Sequence, residues 1–365
     1  MAKETKKIVL VSGARPNFIK IAPLMRVMQG PEAAGLHAVL VHTGQHYDYE
    51  MSQAFFDDLE IRQPDYFLGV GPGSHAVQTA RIMTAFEEVC LEERPDLVAV
   101  VGDVNSTVAC ALVAKKLGIR VAHVEAGLRS RDLSMPEEIN RLVTDVLSDF
   151  LFVSEKSGVA NLLQEGKSES AIFFVGNVMV DTLYLQLARL AEPEGQKPGA
   201  PFAVMTLHRP GNVDDDAKLQ EIMEAITVIA GDLPVHFPVH PRTRHRLEAT
   251  GLLARLGKSG IEFLPPLPYQ AFLRLWKDAA LVLTDSGGLQ EETTALGIPC
   301  ITIRENTERP VTINEGTNLL AGTTFSGIMA AYKEFKTTGG KKGRVPELWD
   351  GRAAERIVKV LAASL

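Results

Sequence analysis

Short apolar runs alternate along this chain with longer stretches in which apolar residues return every three or four positions. Residues 7–12 form the first run, closed by Gly13, and runs at 37–43, 97–101, 119–124, 150–154 and 172–176 follow. Runs of that length fit buried strands. After Pro16, the residues Phe18, Ile21, Met25 and Met28 share one helical face. Pro23 is expected to kink that helix or to mark where its regular part begins. Further helices are expected over 52–59, from the glycine-rich loop GVGPGSH to 93, over a stretch capped by Asn105 or Ser106, from Pro136 to 147, and over 157–165. Ser134 is the expected N-cap of the Pro136 helix, with Glu137 as the capping-box acid. Strands alternating with helices in this way predict a parallel, doubly wound sheet. Near Ala191 the chain turns polar, in EPEGQKPGAP, and reads as an exposed connection. The rhythm then restarts, with strands at 202–206, 235–239, 261–264, 281–284 and 300–303 and helices at 217–230 and 353–361.

A length of 365 residues suits two domains. The net charge of −7 argues against nucleic acid or an anionic membrane as the main partner. Cys90, Cys110 and Cys300 are far apart and have no metal-ligand spacing, which suggests buried thiols in a reducing compartment. No apolar run reaches the roughly 18 residues of a membrane span. The N-terminus enters a strand without the apolar core of a signal peptide. These features together point to a cytoplasmic protein.

The densest chemistry lies in HVEAGLRSRDLSMPEEINR, residues 123–141. Glu125 ends a strand and Glu137 starts a helix, and that rim of an open α/β sheet is where ligands bind. A capped helix with solvated charges is the plainer alternative. Asp103 also ends a strand, where a helix cap would explain it equally. Arg15 and Lys20 follow the first strand, in a turn that could hold an anion at a helix N-terminus. That turn has neither a P-loop nor a G-x-G-x-x-G pattern. Gln45 and His46 lie just past the second strand. In the second half, Asp285-Ser286-Gly287-Gly288 joins a strand to a helix, with Glu291 and Glu292 behind it. Two glycines admit a phosphate, and a carboxylate such as Glu292 can accept hydrogen bonds from ribose hydroxyls, so a nucleotide fits better than bare phosphate. Arg304, Arg309, His208, Arg209, His240 and Arg242 bring cations to the same rim.

Ten segments resemble the non-hydrolysing UDP-N-acetylglucosamine 2-epimerases: GARPNFIKIAPL, TGQHYDYEM, GDVNSTVA, HVEAGLRS, MPEEINR, VGNVMVDTL, TLHRPGN, PVHPRTR, TDSGGLQEE and RENTERP. They run in family order from residue 13 to about 310, with sensible spacing. The resemblance implies two Rossmann-like doubly wound α/β domains in a GT-B arrangement with an interdomain cleft. The domains would be 1–185 and 186–351, with the helix at 352–365 packed back on the first. It also implies a homodimer, no metal and no redox cofactor. Carried over, the uridine diphosphate would lie against Arg15, Lys20, His240, Phe272, Ser286, Gly287, Gly288, Glu292 and Arg309. The acid–base groups would be Asp103, Glu125 and Glu137, with His208 beside the leaving group. Gln45 and His46 match a second, regulatory UDP-GlcNAc site present in some members.

The implied reaction inverts C2 of UDP-N-acetylglucosamine by eliminating UDP to a glycal and adding it back. C2 has no adjacent carbonyl, so direct deprotonation is unattractive. Several carboxylates suit proton removal and return on opposite faces. Cations suit the departing diphosphate. The chain departs from the family pattern at Ala14 (usually threonine), Asn17 (commonly glutamate), Gly211 (where HR-x-E-N has glutamate) and Val311 (where TERPE has glutamate). These departures bear on sugar specificity rather than fold. The nearest alternative is a 2-epimerase of UDP-2,3-diacetamido-glucuronic acid, whose opening motif is similar. Such enzymes tend to lose the counterparts of Arg309 and Glu291, which are both present here. A hydrolysing epimerase, a GT-B glycosyltransferase without need of the MPEEINR carboxylates, and a non-catalytic nucleotide-sugar sensor complete the alternatives.

Overall fold

The computed structural model describes residues 5–45, 56, 59–190, 199–257 and 259–365, apart from the Arg15 side chain. It divides into two compact units, Met1–Gln186 with Glu347–Leu365, and Leu187–Pro346. Each is a parallel sheet with helices between successive strands.

The first unit carries β1 (Lys6–Ser12), β2 (Leu36–His42), β3 (Tyr66–Phe67), β4 (Leu97–Val101), β5 (Arg120–Val124), β6 (Phe150–Val153) and β7 (Ile172–Phe174). Their order is β3-β2-β1-β4-β5-β6-β7. Both neighbours of β1 run parallel to it, with Ile8 opposite Ala38 on one side and Leu97 on the other. All five residues of β4 are buried, as expected for a strand covered on both faces. The second unit carries β8 (Ala203–Thr206), β9 (Val235–Pro238), β10 (Ile261–Leu264), β11 (Leu281–Thr284), β12 (Cys300–Thr302) and β13 (Asn318–Leu320), in the order β10-β9-β8-β11-β12-β13. Its core joins Met205, Ile222, Ile226, Phe237, Leu283 and Ile301. Both orders are those of Rossmann-like sheets, reversing beside β1 and β8, and ligands bind outside the strand ends at such reversals.

Several local details differ from the sequence expectations. Pro23 sits within a helix running Arg15–Met28. It cannot donate to the Ile19 carbonyl four residues back, and Thr182 Oγ1 donates to that carbonyl instead, at 2.6 Å. Ser134 does not cap the helix Pro136–Leu147: the N-cap is Met135, with no side-chain cap bond. The Ser134 hydroxyl donates to Asp132 Oδ1 at 2.6 Å. Neither Asn105 nor Ser106 caps the helix Asn105–Lys116; its N-cap is Val104, again without a side-chain bond. Gln45 does that work from a distance, its Oε1 accepting the Ser106 N–H at 3.1 Å and hydroxyl at 2.8 Å. The strands β3 and β13 and the helices Val178–Arg189 and Phe325–Thr338 are additions. Most of the helix expected over 52–59 lies outside the described residues.

The segment Glu347–Leu365 belongs to the first unit. Trp349 is buried and donates from Nε1 to the Ser154 carbonyl at 2.9 Å. Asp181 accepts the Ala353 and Ala354 N–H groups at 3.1 and 2.7 Å, which caps the helix Ala353–Ser364 from outside its own sequence. Among the described residues, no helix is long and apolar enough to cross a membrane.

Candidate active site

In the first unit, the loops after β1, β4 and β5 meet at the carboxyl ends of their strands. Asn17 organises the first of them. Its Oδ1 accepts the Gly13 and Ala14 N–H groups at 3.2 and 2.9 Å, and its Nδ2 donates to the Val101 carbonyl at 3.0 Å. An amide can accept and donate at once, whereas a glutamate there could only accept. Lys20, one turn on, is buried and forms an ion pair with Glu125. The ammonium expected to meet a diphosphate thus contacts a carboxylate of its own unit. Glu125 is held at φ 75°, the left-handed region that non-glycine residues avoid.

Asp103 follows β4 and meets Arg141 Nη1 at 2.5 Å. Arg141 is fixed by Glu138, three residues back on the same helix, at 2.6 Å. Glu138 also accepts the Ser130 and Arg131 N–H groups, each at 2.9 Å. Burial pushes the Glu138 carboxyl up, but those N–H groups and Arg141 outweigh it and hold it below the usual range. Glu138 is therefore a structural anion that aims Arg141. Its neighbour Glu137, half-buried in the first helical turn, has no ion pair among the described residues. Asp103, Glu125, Glu137 and Lys20 thus share one rim.

Gln45 is buried, its carboxamide oxygen engaged with Ser106 and its backbone carbonyl accepting from Gln78 Nε2 at 3.0 Å. His46 lies outside the described residues.

The second unit gathers a different set. Ser286 is the N-cap of the helix Gly287–Leu296 and makes no side-chain cap bond, so it does not occupy the first-turn N–H groups. Helix N-termini of this kind attract anions. The Arg309 guanidinium lies directly over Gly287: a Cβ added there would stand 2.7 Å from Arg309 Nη1. Gly288 continues the same first turn. Arg309 Nε pairs with Glu291 Oε1 at 2.9 Å, and its Nη1 pairs with Glu308. Glu308 also meets Arg304 at 2.7 Å and Arg209 at 3.5 Å. Burial would raise the Glu308 carboxyl, but Arg309, Arg304 and Arg209 hold it well below its ordinary value. Three guanidiniums against the two carboxylates Glu308 and Glu291 leave net positive charge.

Glu292 lies behind this helix N-terminus, buried, with the Tyr269 hydroxyl donating to Oε1 at 2.6 Å. Burial drives its carboxyl up to about 7, against the lowering effect of Tyr269 and with the raising effect of Glu291. Phe272 is half-buried, three residues after Tyr269 on the helix Tyr269–Trp276. His208 Nδ1 lies 3.0 Å from Asp285 Oδ1, and both the His208 and Arg209 N–H groups bond to that carboxylate at 3.0 and 2.8 Å. Burial of Asp285 is outweighed by His208 and these N–H groups, and its carboxyl is held low. The His240 ring stands 5.9 Å from the His208 ring, and its Nδ1 accepts the Arg242 N–H at 3.2 Å.

Sequence reasoning missed the organising partners: Arg141 for Asp103, Tyr269 for Glu292, and Glu308 among the arginines. Arg141 and Glu138 were readable as an i,i+3 pair on one helix. Tyr269 and Glu292 are 23 residues apart, and no local pattern joins them.

Residues 30–362 match the sequence model described as UDP-N-acetylglucosamine 2-epimerase. The UDP-N-acetylglucosamine 2-epimerase of Methanocaldococcus jannaschii is 41% identical over 366 residues, covering 97% of this chain and 98% of that protein. The UDP-2,3-diacetamido-2,3-dideoxy-D-glucuronate 2-epimerase of Pseudomonas aeruginosa is 40% identical over 360 residues, covering 98% and 99%. A crystal structure of the M. jannaschii enzyme in complex with UDP-GlcNAc and UDP superposes with a TM-score of 0.90 at 40% identity, covering 98% of this chain and 100% of that one. The chain belongs to the UDP-N-acetylglucosamine 2-epimerase family.

Proposed function

We propose that the chain interconverts UDP-N-acetylglucosamine and UDP-N-acetylmannosamine by inverting C2. The supporting observation is the Arg309–Glu291 ion pair at 2.9 Å, with the guanidinium over the helix N-terminus at Gly287. Those two residues are the ones the diacetamido-glucuronate enzymes tend to lose. Arg15, Ser286, Gly287, Gly288, Arg309 and His240 serve the UDP part, Glu292 the ribose and Phe272 the uracil, while Lys20 holds Glu125. A base among Asp103, Glu125 and Glu137 removes the C2 proton as the C1–O bond to UDP breaks, which leaves a glycal. UDP oxygen then re-forms the bond to C1 while a second group returns a proton to the opposite face of C2. His208, oriented through Nδ1 by Asp285, stabilises the departing diphosphate together with the arginines. Carboxylates also stabilise oxocarbenium character at C1. Gln45 and His46 are assigned to a regulatory UDP-GlcNAc site.

The test is product identity with the two candidate substrates. Purified chain given UDP-GlcNAc is expected to yield UDP-ManNAc, and UDP-2,3-diacetamido-glucuronate is expected to turn over at least about tenfold more slowly in kcat/KM. Preference for the uronate, or release of free ManNAc with UDP, would overturn the assignment.

We also infer a homodimer. The helix Pro136–Leu147 buries its polar residues Glu138, Asn140, Arg141, Thr144 and Asp145. Its apolar residues Ile139, Val143 and Val146 are 50%, 38% and 69% exposed. Ile139 also lines a hollow of about 440 Å³ together with His75, Met83, Asn105 and Pro136. An apolar stripe turned outward in this way suits a second copy of the chain. The buried free thiols Cys90, Cys110 and Cys300 support a cytoplasmic location.

A further inference from the structure

We propose that His123 is a positioning residue for the carboxylates Asp103 and Glu125, acting from beneath the strand ends through the carbonyl of Gly102. The proposal rests on the reading that these carboxylates work at C2 of the sugar.

His123 is the penultimate residue of β5 and is wholly buried. Its Nε2 lies 2.7 Å from the Gly102 carbonyl. A carbonyl can only accept, so Nε2 carries a hydrogen. Its Nδ1 lies 2.6 Å from Asp145 Oδ1. Asp145 is also wholly buried, and its other oxygen accepts the Gly127 N–H at 3.0 Å and meets Arg129 Nη2 at 2.7 Å. Arg129 in turn reaches Glu165 at 2.6 Å.

One ring thus ties three elements together. Gly102 directly precedes Asp103 in the chain, at φ 66°. Its N–H donates to the Val124 carbonyl at 3.0 Å, so the residue is held to β5 on both sides. Glu125 follows His123 by two residues, and the Gly127 bond to Asp145 pins the turn in which Glu125 sits at positive φ. Asp145 belongs to the helix that starts beside Glu137 and carries Arg141. A change at His123 would let the Gly102–Asp103 peptide rotate and release the turn beyond Glu125.

Stability alone does not explain such an arrangement. A buried set of three ionisable side chains, His123, Asp145 and Arg129, is weak stabilisation, and apolar residues of equal volume often do as well or better. What the network adds is a fixed geometry for the backbone that carries two carboxylates.

The test compares His123→Gln, His123→Asn and His123→Phe in the full chain, with folding checked by thermal melting. Glutamine can place an N–H where Nε2 stands and donate to Gly102. Asparagine reaches toward Asp145 but not the carbonyl, and phenylalanine fills the space with no donor. The Gln variant is expected to keep kcat for UDP-GlcNAc within about tenfold of wild type. The Asn and Phe variants are expected to lose about a hundredfold. KM and calorimetric UDP affinity should stay within roughly twofold throughout. A folded Phe variant with wild-type kcat overturns the proposal, as does a loss that appears in KM or UDP affinity instead. If Phe prevents folding, Asn and Gln decide, and equal kcat values for those two overturn it. Wild-type chain that turns over no UDP-GlcNAc sinks the functional reading itself, and the proposal with it.

Discussion

Glu292 shows how burial sets the behaviour of one side chain. Its carboxyl rises from 4.5 to about 7 in the folded chain, first through burial. Between those values the folded state holds a proton that the unfolded state has released, so stability falls as pH rises through the window. Glu292→Gln removes that dependence. The unfolding free energy of wild type is expected to fall between pH 4.5 and 7 by up to roughly 3 kcal/mol more than that of the variant. Urea melts across the window measure it, and parallel curves would contradict the assignment. Gly287 supports a second prediction. An alanine there puts a methyl 2.7 Å from Arg309 Nη1 and 3.1 Å from Cζ, so the guanidinium must move off the helix N-terminus. Gly287→Ala is expected to weaken UDP binding by about tenfold or more in titration calorimetry while leaving the melting temperature nearly unchanged. The candidate residues were legible as single positions, because carboxylates and arginines at strand ends stand out. Their partners were not. Lys20 read as a cation for an anion or diphosphate but is buried against Glu125, a contact between residues 105 positions apart that no periodicity encodes.

Elements were legible where the apolar pattern was strong. The fully buried strands Leu97–Val101 and Leu281–Thr284 coincide with the apolar runs. The caps were not, because local signals lost to distant ones. Ser134 bonds to Asp132, and the helix that begins at Asn105 is capped by Gln45 through Ser106. The short strands Tyr66–Phe67 and Asn318–Leu320 lie at the two sheet edges, where too few residues are buried to leave an alternating or continuous apolar signature. Asp181 is another distant cap. It sits on the helix Val178–Arg189 and serves the helix Ala353–Ser364. Asp181→Ala is expected to destabilise the first unit by about 1–2 kcal/mol, read as a shift in its urea midpoint at pH 8. At that pH the carboxyl, raised by burial to about 6, is ionised. A midpoint equal to wild type would mean that the cap contributes nothing.

At the scale of the whole molecule, the alternation of strands and helices announced two parallel sheets. The sequence also carried an outward apolar stripe on the helix Pro136–Leu147, but burial was needed to see that its polar side is the inner one. Replacing Ile139 and Val143 together by Asp is expected to convert a dimer to a monomer in light scattering, with the fold retained. A monomeric wild type, or a dimer unaffected by the double change, would contradict that assignment. The central claim is that C2 inverts through loss and return of its proton. Its most direct test is proton NMR of UDP-GlcNAc incubated with the pure chain in D2O. The account predicts UDP-ManNAc bearing deuterium at C2, with the same label entering the UDP-GlcNAc pool. UDP-ManNAc that keeps its original C2 hydrogen, or UDP-GlcNAc bound without any turnover, would contradict it.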